Sequence, residues 1–173
     1  EEARAQADAE LMHGNGPAVL VTESTEWHPG IVGLIASRLK DAARRPAFAI
    51  AFDANGRGTG SGRSIPGLDL GRLVGEAVRE GLLVKGGGHA MAAGITVERA
   101  RLGDLRAFFE ERARQAVDTL MAGQSIKVDA ALSAEGANLA LMDRLEQAGP
   151  YGAGHPQPVF AMPRHTVSGV QPV

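Results

Sequence analysis

From residue 56 to residue 62 every second position is glycine, within the segment GRGTGSGRS at residues 56–64. Successive side chains of a strand point to opposite faces, so as a strand this segment has one face with no side chains. Something must lie close against that bare face. The preceding AFAIAF at residues 47–52 reads as a strand, and Asp53, Ala54, Asn55 and Gly56 as a hairpin-type turn, because Asn-Gly tolerates positive φ at little cost. Residues 57–64 are then the return strand. Glycine makes up 23 of 173 residues, well above an average of roughly 7%, yet with no Gly-X-Y period and only 9 Pro the chain is not collagen-like.

The other elements follow from periodicity. Residues 1–12 are Ala-rich and helical in propensity, stopped by HGNGP at residues 13–17. Residues 18–22 (AVLVT) read as a buried strand. Pro29 starts a helix over residues 30–39, with Ile31, Leu34, Ile35 and Leu39 at helical spacing. Asp69 suits the N-cap of a helix over residues 70–80 with Leu73, Val74 and Ala77 inward. The apolar residues 82–84, a loop at residues 86–88 and a strand at residues 93–97 come next. The helix over residues 102–120 carries Leu102, Leu105, Phe108, Phe109, Ala113, Ala116, Val117 and Leu120 on one stripe. Its other side, with Arg106, Glu110, Glu111, Arg112 and Arg114, reads as solvated. The pattern then restarts with a strand at residues 126–132, a helix at residues 137–147, a turn-rich stretch at residues 148–158 and a strand at residues 159–162. Strands alternating with helices indicate an α/β domain with a boundary near residue 120.

Hydrophobic residues are 44% and charged residues 22%, enough for a folded core. Zero Cys removes disulfides, thiolate zinc sites and cysteine nucleophiles, and suits a reducing cytoplasm. No apolar run approaches the roughly 18 residues of a membrane span, and EEARAQADAE lacks a signal core. A soluble, cytoplasmic protein with no membrane contact is expected. The chain has no initiating Met and opens inside a helix, as an excised fragment would. Net charge is −2, against a uniformly basic nucleic-acid coat. Residues 38–72 nevertheless carry seven bases (Arg38, Lys40, Arg44, Arg45, Arg57, Arg63 and Arg72) against Asp41, Asp53 and Asp69. A polyanion should meet this segment, unless the bases from Arg38 to Arg45 are only a solvated helix end.

Metal-ligand spacings, a GxSxG elbow and a GxxxxGK[ST] loop are all missing, and the five His are scattered, so no complete metal centre is expected within the chain. Three features carry possible chemistry. In GGGHAMAAG (residues 86–94), Gly86, Gly87 and Gly88 let backbone approach a ligand, and His89 could bond a phosphate or stack on a base; a flexible turn with a structural His is the alternative. In Ser61-Gly62-Arg63-Ser64, Ser61 and Arg63 share one strand face and offer a hydroxyl and a guanidinium fork to one phosphate; a surface hairpin is the alternative. Trp27 and His28 sit between a strand and a helix, where α/β sheets place ligands, although a lone Trp also serves as a core or interdomain plug.

WHPGIVGLIASRLK (residues 27–40), RPAFAIAF (residues 45–52), GSGRSIPGLDL (residues 60–70), GGGHAMAAG and GPYGAGHPQPVF (residues 149–160), in that order, resemble the RecJ family of DHH phosphoesterases, exonucleases specific for single-stranded DNA. The resemblance implies a mixed sheet with flanking helices. Residues 1–15 would end a connector helix, residues 16–120 would form the DHH-associated substrate-binding domain, and residues 121–173 would link to the truncated start of an oligonucleotide-binding fold. Two Mn²⁺ or Mg²⁺ ions would be held by a catalytic DHH domain in cis, absent here, leaving the fragment inactive. Ser61 and Arg63 match positions that grip a terminal phosphate, Gly86 to His89 match the glycine loop of the cleft, and His89 would assist at the scissile phosphate. Trp27 and His28 match a turn left as interface or substrate packing. Tyr151 and His155 replace the Phe and Asn usual in the last motif. A smaller oligonucleotide phosphoesterase and an RNA-binding appendage of the alanyl-tRNA synthetase type are the alternatives. On this reading, the glycine excess marks close approach of backbone to DNA.

Overall fold

The computed structural model describes residues 1–12, 14–123, 127–152 and 154–166. His13 of the first helix stop, Gln124 and Ile126 near the restart, and Ala153 of the last motif lie outside the described residues. The chain divides into two compact units, Glu1–Gln124 and Ser125–Val173.

The first unit is built on a five-stranded sheet of order β1-β2-β3-β5-β4: β1 Leu20–Ser24, β2 Ala47–Phe52, β3 Arg57–Arg63, β4 Lys85–His89 and β5 Ala92–Glu98. β1 and β2 are parallel and the other pairs antiparallel. Helices α1 (Glu2–Leu11) and α2 (Val32–Ala43) cover one face; α3 (Leu70–Arg79) and α4 (Leu102–Ala122) cover the other. Every residue of β2 is buried, and its alternation sorts the layers. Phe48, Ile50 and Phe52 enter the α3/α4 core with Leu70, Val74, Phe109 and Val117. Ala47, Ala49 and Ala51 are small enough to let α1 and α2 come close.

That alternation explains the glycines of β3. Gly58, Gly60 and Gly62 pair with Phe52, Ile50 and Phe48 and face the same core. A Cβ at Gly58 would stand 2.7 Å from Ile50, and one at Gly62 only 2.4 Å from the Phe48 ring. The bare face of β3 is filled by the protein's own large side chains, so these glycines are packing positions and not an approach to DNA. Interior density leaves no room for even one more methyl group there.

Residues 86–88 are not a loop: they form edge strand β4, joined to β5 across Ala90 and Met91. A Cβ at Gly88 would lie 2.2 Å from the Ala92 carbonyl oxygen, and one at Gly86 2.6 Å from Val74. Close backbone contact with β5 and α3 demands these two glycines. The second helix starts with a 3₁₀ turn, Pro29–Ile31, capped by His28, whose tighter winding shifts the apolar phase. Val32, Ala36 and Leu39 are therefore buried, while Ile31 and Leu34 are 45% and 57% exposed. The polar side of α4 is not simply solvated. Glu110 accepts a bond from the Ala18 amide at 2.8 Å, Arg114 donates to the Gly16 carbonyl at 2.8 Å and to Glu110, and Arg106 pairs with Glu10. Arg45, 9% exposed, donates to the carbonyls of Pro17 and Asn15 at 2.7 and 2.6 Å. Burial, then the neighbouring Arg114, lowers its pKa from the usual guanidinium range. It is a structural cation that fixes the segment entering β1.

In the second unit, α5 (Leu139–Gln147) is capped by Asn138, whose side chain accepts from the Leu141 amide at 3.1 Å. The expected strands shrink to a two-residue parallel pair, β6 Ala130–Ala131 and β7 Phe160–Ala161. Tyr151 and His155 stack with centroids 5.1 Å apart. The Tyr151 hydroxyl donates to the Leu145 carbonyl at 2.5 Å, and His155 Nε2 lies 3.1 Å from the Ala148 carbonyl, both near the end of α5. His155 thus meets a carbonyl that the helix leaves open, while Tyr151 adds a second donor to the Leu145 carbonyl, which also accepts from the Ala148 amide at 3.1 Å.

Candidate nucleic-acid interface

Directly opposed residues of antiparallel strands point to the same face. The polar face of β3 therefore continues across β5 to β4 in three rows. Arg63 aligns with Ala92 and His89, Ser61 with Gly94 and Gly87, and Thr59 with Thr96 and Lys85. Arg63 and His89 are two strand spacings apart, about 10 Å between backbones. The middle row is almost bare: a Cβ at Gly87 or Gly94 would meet nothing within 4 Å. Among the three consecutive glycines, only Gly87 opens to solvent on this face. An open trough of about 400 Å³ lies here, with Thr59, Lys85, Gly87, Gly94 and Thr96 in its lining.

The donors at its rim suit an anion. Arg63 Nη1 donates to Ser61 Oγ at 2.8 Å and to the Gly62 carbonyl at 2.9 Å. Because Ser61 Oγ accepts this bond, its own hydroxyl proton stays available, as do Nε and Nη2 of Arg63, for which no acceptor exists among the described residues. The pair thus presents several donors to one group of oxygens, the arrangement that binds phosphate well. Lys85 and His89 are exposed, and no acid among the described residues pairs with Lys85 or Arg63. Of the seven bases at residues 38–72, Lys40, Arg45 and Arg72 are engaged by Asp41, by backbone carbonyls and by Glu76. Arg38 lies in α2 and Arg44 at its C-cap, which leaves Arg57 and Arg63 on the polar face of β3.

Several expected site residues stand elsewhere. Ser64 is 1% exposed and donates to the Leu68 carbonyl at 2.7 Å, so its hydroxyl is spent inside the fold. Gly86 and Gly88 face α3 and β5. Trp27 packs against two core clusters, one containing Leu20 and Leu39 and the other Val32 and Ala36, and its Nε1 donates to Glu2 at 2.8 Å, tying α1 to the sheet. His28 is exposed, its Nδ1 accepting from the Gly30 amide at 3.0 Å. Both border a second cleft of about 500 Å³ with Arg57 and Thr59, at the far end of β3 from Arg63. Thr59 and Lys85 were missed by sequence reasoning, although the period-2 reading of β3 puts Thr59 in line with Ser61 and Arg63. Among the described residues no three of His, Asp and Glu converge where a metal ion could sit.

A family model described as the DHHA1 domain matches residues 16–115, and one described as the RecJ OB domain matches residues 128–173. The chain is 36% identical over 148 residues to the single-stranded-DNA-specific exonuclease RecJ of Salmonella typhimurium, covering 83% of this chain and 25% of that protein. It is 30% identical over 143 residues to the protein of the same name from Thermus thermophilus, covering 83% and 20%. A crystal structure of Thermus thermophilus RecJ in complex with Mg²⁺ superposes with a TM-score of 0.58 at 27% identity, over 91% of this chain and 24% of that one. A second, of exonuclease RecJ bound to manganese, gives a TM-score of 0.53 at 29% identity over 68% and 28%. The chain thus spans about a quarter of the length of the first of these relatives.

Proposed function

The chain belongs to the RecJ-type family that carries a DHHA1 domain followed by a RecJ OB domain, and from that membership we propose that its open β3–β5–β4 face binds substrate for a metal-dependent exonuclease degrading single-stranded DNA 5′ to 3′. The observation that carries this reading is the conjunction of Arg63 and Ser61, with donors free, beside the bare Gly94–Gly87 row. Arg63 and Ser61 grip a terminal phosphate by charge-assisted bonds. The side-chain-free floor admits the backbone of the nucleic acid. His89, in the row of Arg63, stabilises charge at the scissile phosphate, and Lys85 adds a cationic contact on the same face. Trp27 and His28 keep a packing role, with the second cleft a site where a base could stack.

Within the same reading, residues 1–15 end a helix leading from a catalytic DHH domain in cis, residues 16–120 bind substrate and residues 121–173 enter an oligonucleotide-binding fold. The complete enzyme uses Mg²⁺ or Mn²⁺, the ions bound in the two RecJ structures. The described residues here do not fit such a site, so no step of the chemistry runs through a metal on them. On the proposed domain arrangement, the chain without the catalytic DHH domain is expected to be inactive in hydrolysis. DNA repair and recombination in the cytoplasm is the proposed setting, and no helix among the described residues is long and apolar enough to cross a membrane.

The test is cleavage of a 5′-phosphorylated single-stranded oligonucleotide by the full-length protein. Arg63→Ala and His89→Ala should each lower the rate roughly 10- to 100-fold, the worth of a hydrogen bond to a charged group. Arg112→Ala, on the outer side of α4, should leave it within about twofold. Equal effects at all three positions would refute the assignment.

A further inference from the structure

Helix α2 packs over β2 and β3 and passes beside the phosphate grip. Its first turn contains Gly33, whose backbone is helical with ordinary negative φ, so nothing in its conformation calls for glycine. Glycine there weakens a helix that other residues would favour. The reason lies in what a side chain would touch. The three nearest heavy atoms to a Cβ at position 33 are Arg63 Nη2 at 3.0 Å, Ser61 Oγ at 3.5 Å and Arg63 Cζ at 3.9 Å. All three belong to the two anion-gripping side chains. Gly71 in α3 offers a contrast: a Cβ there would meet the backbone of Gly88 and His89, so its role is to let helix and strand pack.

We propose that Gly33 is a positioning residue for the phosphate grip: its missing side chain is the space in which the Arg63 guanidinium lies against α2, bonded to Ser61 and with Nη2 free. The inference rests on the Ser61–Arg63 reading given above. The first neighbour displaced is the far end of a flexible side chain, so an added methyl leaves the fold intact but moves the guanidinium. Ala at position 33 forces a shift of a few tenths of an ångström. Val, with two more methyl groups, excludes the guanidinium from the pocket altogether.

Binding of a 5′-phosphorylated single-stranded oligonucleotide to the chain, read by fluorescence anisotropy at low salt, tests this together with melting temperature. Arg63→Ala and Gly33→Val should each weaken binding roughly tenfold, with Gly33→Ala between them and the parent. In the Arg63→Ala background, Gly33→Val should cost less than about a further twofold, because the group it displaces is gone. Gly33→Ala should melt at the parent temperature or up to about 4 °C higher, since it improves helix propensity while weakening binding. A merely structural glycine would move both in the same direction. Parent-like binding by both position-33 variants, or full loss on Gly33→Val in the Arg63→Ala background, overturns the inference while leaving the grip intact. If Arg63→Ala binds as the parent does, the grip itself is refuted, and this inference with it.

Discussion

Gly62→Ala and Gly87→Ala are the same chemical change in one sheet, and they should move stability in opposite directions. At Gly62 the new Cβ would stand 2.4 and 2.6 Å from Phe48 Cε1 and Cζ and 2.8 Å from Leu70 Cδ2. Carbon atoms in contact prefer about 3.5–4.0 Å, so roughly 1 Å must be found. Phe48 cannot easily give it: the ring is fully buried and stacked on Phe109 with centroids 5.0 Å apart. Overpacking of this kind costs about 1–3 kcal/mol, and disturbing the stack up to about 1.5 kcal/mol more. Removing glycine's extra unfolded-state entropy returns about 0.5–1 kcal/mol. The net loss for Gly62→Ala spans about 0–4 kcal/mol and centres on about 2 kcal/mol. At Gly87 the methyl meets nothing within 4 Å, so only the favourable part remains and Gly87→Ala should gain up to about 1 kcal/mol. The assay is urea unfolding followed by fluorescence of Trp27, the only Trp in the chain, which lies in the first unit and reports on it alone. Phe48→Leu beforehand should shrink the penalty of Gly62→Ala, since the two share one volume. A Gly62→Ala protein as stable as the parent, or a Gly87→Ala protein equally weakened, would refute this account of the glycines.

Glu110→Ala should destabilise the first unit by about 1–3 kcal/mol in the same assay, because it strips the Ala18 amide of its acceptor and Arg114 of its partner. Oligonucleotide binding through Arg63 and Lys85 should weaken only roughly three- to sevenfold between 50 and 200 mM salt, the slope for one or two phosphate contacts on a single strand. A much steeper loss, measured by anisotropy, would mean a broader basic surface is in use.

The residues themselves made much of the first unit legible. Six consecutive apolar residues followed by Asn55-Gly56 mark β2, its turn and β3, because a strand buried on both faces needs such a run. Asp69 marks the start of α3, and its side chain does accept from the Arg72 amide at 2.9 Å. The address of the glycines was not legible from glycine alone. A bare strand face looks the same whether a ligand or a neighbour's side chains fill it. The deciding signal lies in the partner strand, where Phe48, Ile50 and Phe52 alternate with alanines and supply the volume β3 lacks. Residues 86–88 resembled a loop because glycine has little strand propensity; pairing with β5 and contact with α3 override it. Sequence spacing also hid Ser64, whose place next to Arg63 turns it to the opposite, buried face.

The open face of β3, β5 and β4 is the proposed seat of single-stranded DNA. At 18.0 kDa the chain suits a two-dimensional NMR titration with a 5′-phosphorylated oligonucleotide. The account predicts that the amides of Ser61, Arg63, Gly87, His89 and Gly94, with the Arg63 side-chain Nε–H, shift together and saturate at one concentration, while Glu111 and Arg112 of α4 stay still. Shifts concentrated on α4, or no response at Ser61, Arg63 and Gly87 while others move, would contradict it.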